Sequence, residues 1–141
     1  MAIITMIIER RHNNMNDNKL TRKIKEIRKF AKFGLVIISQ HALDRCKERN
    51  ITQRMIIEML ADNNNTICQY QEHYKGAEFA SYVIWAKASN NKYYHIVIYD
   101  EITPLGSHKY KVSTVYEPSR ALFSCNGRYL KKKKNRKIIG I

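Results

Sequence analysis

The chain has no apolar run approaching the roughly 20 residues needed to cross a bilayer. Its apolar opening, Met1 to Ile8, is too short for a span and lacks the basic stretch that precedes a signal-peptide core. It reads as an edge strand, a docking segment or the start of a helix. Cysteine is scarce. Cys46, Cys68 and Cys125 are odd in number, widely spaced and without a CxxC. That argues against a disulfide framework and a zinc site alike and points to a reducing, cytoplasmic compartment. There is no GxxxxGK[ST], GxGxxG or HExxH, and His12, His41, His73, His95 and His108 show no metal-ligand spacing. Carboxylates are few and not paired as in a metal nuclease. Nucleoside triphosphate chemistry is therefore not expected, and neither a metal nor a cofactor is.

Positive charge is abundant. Lys and Arg number 26 against 12 Asp and Glu, a formal net charge of +14. A polyanionic partner follows, because phosphate neutralisation releases counterions and drives binding. RNA is the favoured partner, with DNA as a variant and an anionic membrane surface as the competitor. The 141 residues, 44% of them hydrophobic, suffice for one domain with a real core. The expected division is a basic segment with one helix over 1–35, an α+β domain over 36–123, and a basic tail over 124–141.

Asn13 to Asn18 is polar and turn-like. Lys19 to Lys32 repeats apolar residues at spacings of three and four, which predicts a helix. Its other face carries Arg22, Lys23, Lys25, Arg28, Lys29 and Lys32, and Lys23 and Arg28 are taken as phosphate contacts. After Gly34 comes a short extended segment. Ser39 then caps an amphipathic helix, and Asn50 suits a left-handed C-cap. At about 100° of rotation per residue, His41, Arg45 and Glu48 share one stripe with Arg49 beside it, while Ala42, Leu43 and Cys46 face inward. Thr52 caps a further helix over Gln53 to Asp62.

Beyond Asn65 the hydrophobic period changes to two. Strands are expected at Thr66 to Tyr70, Glu78 to Ala88, Lys92 to Asp100 and Lys109 to Glu117. In the third, Tyr93, His95, Val97 and Tyr99 share a face. In the fourth, Tyr110, Val112, Thr114 and Tyr116 do. Short links between consecutive strands predict an antiparallel meander. The fold expected is α+β: two or three N-terminal helices packed on a curved antiparallel sheet of about four strands. Ser119 to Phe123 reads as a helical turn. Lys131 to Arg136 is a basic stretch, from which Lys131 and Lys132 are nominated as phosphate contacts, together with Arg49 and Lys92.

Without metal motifs, the chemistry that suits this composition is metal-independent cleavage of RNA. The 2′-hydroxyl attacks phosphorus, a base accepts its proton, an acid protonates the leaving oxygen and cations stabilise the phosphate. His41 and Arg45, one turn apart, suit acid–base and phosphate roles. Thr114, Tyr116 and Ser119 offer hydroxyl groups, and His95 is a further candidate.

Ser39, His41, Ala42, Arg45, Glu48, Arg49, Ile51 and Thr52, then Val112, Thr114, Val115 and Tyr116, resemble small bacterial and phage domains. Their opening reads S-x-H-A-x-x-R-x-x-E-R-x-I-T and their last strand V-x-T-V-Y. These domains are similar to the RelE/ParE and colicin D-like toxin superfamily. The resemblance implies helices on a curved antiparallel sheet, metal-independent ribonuclease activity, and an antitoxin or immunity protein as partner. Residue by residue it reaches His41, Arg45, Thr114 and Tyr116. Three readings stand: a toxin-like ribonuclease, a non-catalytic nucleic-acid-binding protein using the basic helix and tail, and a module that inhibits a protein partner.

Overall fold

A computed structural model of the chain describes residues 17–71 and 79–131. Met1 to Ile8 and Lys132 therefore lie outside the described residues. The first helix, α1 (Asp17–Lys32), begins two residues before the apolar repeat and takes in Asp17 and Asn18 of the expected turn. Ile24, Ile27 and Ala31 form its buried stripe. It stops in a paired-bond C-cap: Leu35 N–H reaches the Phe30 carbonyl at 2.8 Å and Gly34 N–H the Ala31 carbonyl at 3.1 Å. That turn requires the left-handed φ of +70° found at Gly34, which a residue without Cβ adopts freely.

A two-residue strand, β1 (Ile37–Ile38), leads into α2 (Gln40–Glu48). Ser39 Oγ accepts from Ala42 N–H at 3.0 Å. At the other end Ile51 N–H bonds to the Cys46 carbonyl at 2.8 Å, and Asn50 takes a φ of +60°. Both caps are those read from the sequence. Next, α3 (Gln53–Ala61) starts on Thr52, whose Oγ1 accepts from Met55 N–H at 3.1 Å. Buried Asn65 finishes it by donating to the Met59 and Leu60 carbonyls, each at 2.9 Å.

The strands are β2 (Thr66–Gln71), β3 (Ala80–Lys87), β4 (Tyr93–Ile102) and β5 (His108–Tyr116). They form the expected antiparallel meander. The described sheet has five strands rather than four, in the order β1-β5-β4-β3-β2. It is mixed, because β1 joins β5 in parallel through Ile37–Lys111 and Ile38–Val112. The extended segment after Gly34 is too short to show a period of two, so its pairing could not be read from sequence. No described helix is long and apolar enough to cross a membrane.

The helices cover one face of the sheet. Ile27, Ile56, Met59 and Leu60 pack with Ile84, Ile96, Ile98, Val112 and Val115 in one core. One sequence expectation fails here. Tyr110, Val112, Thr114 and Tyr116 do not share a face. The register between β4 and β5 shifts at Val97/Ile98, where Ser113 is an extra residue. This bulge turns Thr114 and Tyr116 to the far face and sends Val115 into the core. Burying a valine there is worth about 2 kcal/mol, which an unbroken alternation would forfeit.

The far face is capped at one end. β6 (Phe123–Ser124), a single 3₁₀ turn (Cys125–Gly127) and β7 (Tyr129–Leu130) make a small hairpin. The boundary expected between domain and tail runs through β6, and residues 124–130 belong to the folded unit.

Candidate functional site

The capping hairpin organises what lies beneath it. His95 of β4 is 0% exposed. Its Nε2 lies 2.6 Å from the Gly127 carbonyl oxygen, so that nitrogen must carry a proton and donate it. The Phe123 ring stands edge-on to the imidazole at 4.6 Å and the Tyr116 ring at 5.5 Å. Cys68 Sγ is 3.6 Å from Nε2, and His95 Nδ1 is buried without a hydrogen-bond partner. Burial lowers the pKa of His95, with the Gly127 carbonyl opposing the shift. Burial also pushes the Cys68 thiol up to about 12. Tyr116 is pushed to about 12 by burial and then by Cys68. All three groups are therefore neutral at neutral pH, and Tyr116 cannot serve there as a base.

Beside this hairpin is a cleft of about 550 Å³. Three turns build it. The β3–β4 turn, set by Asn91 at φ +69° and by Lys92 N–H on Asn90 Oδ1 at 2.9 Å, presents Lys92 and Tyr93. Pro118 ends β5, and Ser119 closes a tight turn by accepting Phe123 N–H at 2.9 Å. That turn presents Glu117, Ser119 and Arg120. Lys131 comes from the end of the hairpin, held by its N–H on the Leu122 carbonyl at 2.8 Å. Among the described residues the wall thus carries Lys92, Arg120 and Lys131 against one carboxylate, Glu117. Such a site suits a phosphate-bearing ligand.

An aromatic and cationic ladder flanks the cleft. Trp85 and Tyr93 stack with centroids 4.9 Å apart and planes at 13°. The Arg128 guanidinium lies 5.4 Å from the Trp85 ring and 5.3 Å from the Tyr129 ring. Trp85 Nε1 donates to the Asn126 carbonyl at 3.0 Å, which ties the ladder to the hairpin.

The nominated residues separate into groups. Lys92 and Lys131 meet in the cleft with Ser119. Thr114 and Tyr116 lie on the far sheet face, opposite Val97 and His95. His41 and Arg45 are exposed on α2, whose buried Ala42 and Cys46 face the core on the other side of the sheet. None of the four nominated catalytic residues lines the cleft. Arg49 donates to the Val115 carbonyl, and Glu48 makes no ion pair with Arg45 or Arg49 among the described residues.

Two cations of α1 turn inward. Arg28 donates to Asn65 Oδ1 and to its carbonyl, both at 2.7 Å. Lys23 donates to Asp100 at 3.0 Å and to the Tyr110 hydroxyl at 2.9 Å. Asp100 is 4% exposed and also accepts from His108 Nδ1 at 2.8 Å. Tyr110 donates to Glu26, and burial together with that bond raises its pKa. This network fastens α1 to the β4–β5 hairpin. Arg22, Lys25, Lys29 and Lys32 remain exposed on the helix. Among the described residues no three His, Cys, Asp or Glu side chains gather as a metal site requires.

Arg120, Glu117, Arg128 and Tyr129 were not singled out from sequence. The available signal was Asn126–Gly127, a hairpin dipeptide lying in the stretch assigned to the tail.

A family of domains of unknown function (DUF4258) matches residues 38–117, more than half of the chain. The chain belongs to the DUF4258 family. The matched region runs from β1 to the residue after β5. It contains α2, α3 and the whole meander, and it omits α1 and the capping hairpin. Lys92 and Glu117 of the cleft thus belong to the DUF4258 region, whereas Arg120 and Lys131 do not. No curated protein and no solved structure matches the chain significantly.

Proposed function

We propose that this DUF4258 protein binds RNA in the cleft between the β3–β4 turn, the Glu117–Arg120 turn and the C-terminal hairpin. The observation that carries this reading is the meeting of Lys92, Arg120 and Lys131 around one cavity with Tyr93 in its wall. Three cations facing one carboxylate among the described residues suit a row of phosphates, and the excess charge of +14 favours approach of any polyanion.

A charge-matched comparison tests it. Lys92→Ala with Arg120→Ala removes two cations from the cleft. Lys25→Ala with Lys29→Ala removes two exposed cations from α1. The first pair is expected to weaken RNA binding at least ten-fold more than the second. Equal losses would mean that overall charge, and not the cleft, holds the RNA.

Metal-independent cleavage, as in the toxin-like ribonucleases that the sequence resembles, is the second reading. Glu117 and Ser119 favour it, because a carboxylate and a hydroxyl stand in the same wall as the cations. Cleavage by 2′-hydroxyl attack needs a base, an acid and cationic stabilisation. RNA incubated with the protein in EDTA is expected to be cut by wild type and spared by Glu117→Gln. Intact RNA with both proteins leaves binding as the activity and removes the ribonuclease reading.

A further inference from the structure

The cleft accounts for phosphates but not for the ring system beside it. Tyr129 keeps 53% of its surface in solvent, in a chain that buries Tyr70, Tyr82, Tyr94 and Tyr110. Its position is fixed from two directions. Tyr129 pairs with Ser124 across the hairpin, and the Arg128 guanidinium bridges its ring to that of Trp85. Trp85 in turn stacks on Tyr93, which also forms part of the cleft wall. A held, exposed aromatic edge therefore adjoins a cation-lined cavity, and one ring belongs to both.

We infer that this ladder is a base-stacking platform, and that the ligand of the cleft is single-stranded RNA. The inference rests on the RNA reading above and narrows it. In single-stranded nucleic acid the backbone follows cations while unstacked bases lie on aromatic faces, and arginine adds a cation–π component. Every base has a π-face, so such a platform grips without demanding a sequence. In duplex RNA the base faces are already stacked on one another. Only groove edges, 2′-hydroxyls and phosphates are presented, and Tyr129 has nothing to stack upon. The same cations serve either form, so selectivity for single strands falls to Tyr129 and Arg128. Both lie outside the region matched by the DUF4258 family, in the hairpin that follows β5. The residues that set the selectivity therefore lie beyond the matched region, while Trp85 and Tyr93, which support them, lie within it.

Fluorescence anisotropy with the full chain decides the matter. The probes are an RNA of about 12 nucleotides without secondary structure and the same strand annealed to its complement. Wild type is expected to bind the single strand at least ten-fold more tightly. Tyr129→Ala should cost about ten-fold in single-strand affinity and leave duplex affinity unchanged, while Tyr129→Phe retains single-strand binding. Arg128→Ala should cost more in single-strand than in duplex affinity, since it removes a charge as well as the support of the ring. Equal affinity for the two forms, with Lys92→Ala weakening both, overturns the platform and leaves the RNA cleft standing. Failure of wild type to bind either form overturns the cleft reading and the platform together.

Discussion

The imidazole of His95 donates to the carbonyl oxygen of Gly127 across 2.6 Å, joining the centre of the sheet to a turn 32 residues further along the chain. The donor lies in the region matched by the DUF4258 family and the acceptor lies outside it. The bond needs only a protonated Nε2. A second proton on Nδ1 would place a charge where that atom is buried and has no partner. The side chains facing the ring are Cys68, Tyr116 and Phe123, none of them acidic at neutral pH. No carboxylate among the described contacts compensates the charge.

Stability should therefore depend on pH through His95. Its folded pKa lies below its ordinary value of 6.5. Below 6.5 the unfolded chain takes up a proton that the folded chain does not, so folding stability falls as pH decreases from 6.5 toward the folded pKa. Above that ordinary value the contribution is complete. Melting temperatures across this range should decline for wild type and decline less for His95→Gln, which keeps an N–H donor but does not titrate. Parallel curves would remove His95 as the source.

Gly127 should tolerate no side chain. It sits at φ +99°, and a Cβ built there comes within 2.1 Å of Pro118 Cγ and 2.6 Å of Pro118 Cβ. The proline ring is rigid and cannot swing away. Gly127→Ala is expected to cost roughly 2 kcal/mol or more in urea unfolding. It should also speed tryptic cleavage after Arg128 as the hairpin loosens. A variant as stable and as resistant as wild type would show that the hairpin does not need this contact.

Lys23 is expected to matter for folding rather than for phosphate binding. It is the cation that bonds to the buried carboxylate of Asp100, and among the described residues only a half-exposed histidine shares that role. Lys23→Met should destabilise by about 3 kcal/mol, since removing one partner leaves a buried charge uncompensated. Lys25 is exposed on the same helix, so Lys25→Met is the matched control. It should change stability by less than about 0.5 kcal/mol. Similar losses for the two would contradict the inward network.

His41 and Arg45 should be dispensable for both fold and grip. They are exposed on α2 and are not among the residues lining the cleft. His41→Ala and Arg45→Ala are each expected to alter stability by less than about 0.5 kcal/mol. RNA affinity should stay within about two-fold for His41→Ala, as only a cation at the cleft adds a phosphate contact. A ten-fold loss with His41→Ala would move the site to α2.

Much of the fold was legible because its signals are local. Ser39, Asn50 and Thr52 each cap a helix with their own side chain or φ, and the change of period after Asn65 marks the meander. The bulge at Ser113 was not legible, since the alternation Tyr110, Val112, Thr114, Tyr116 looks unbroken until β4 imposes its register. The pairing of β1 was hidden by its length. The site was legible only in part. Lys92 and Lys131 were named for their charge, but what unites them with Arg120 is a hairpin closed by His95, Trp85 and Phe123, through contacts between residues far apart in the chain.

The most direct test of the cleft is the salt dependence of RNA affinity, measured for wild type and for Lys92→Ala with Arg120→Ala. Each phosphate contact on a single strand contributes about −0.7 to the slope of log affinity against log salt. If both cations hold phosphates, the double variant binds more weakly and its slope is shallower by roughly 1.4. An unchanged slope and affinity would contradict the account and place the RNA elsewhere on this basic protein.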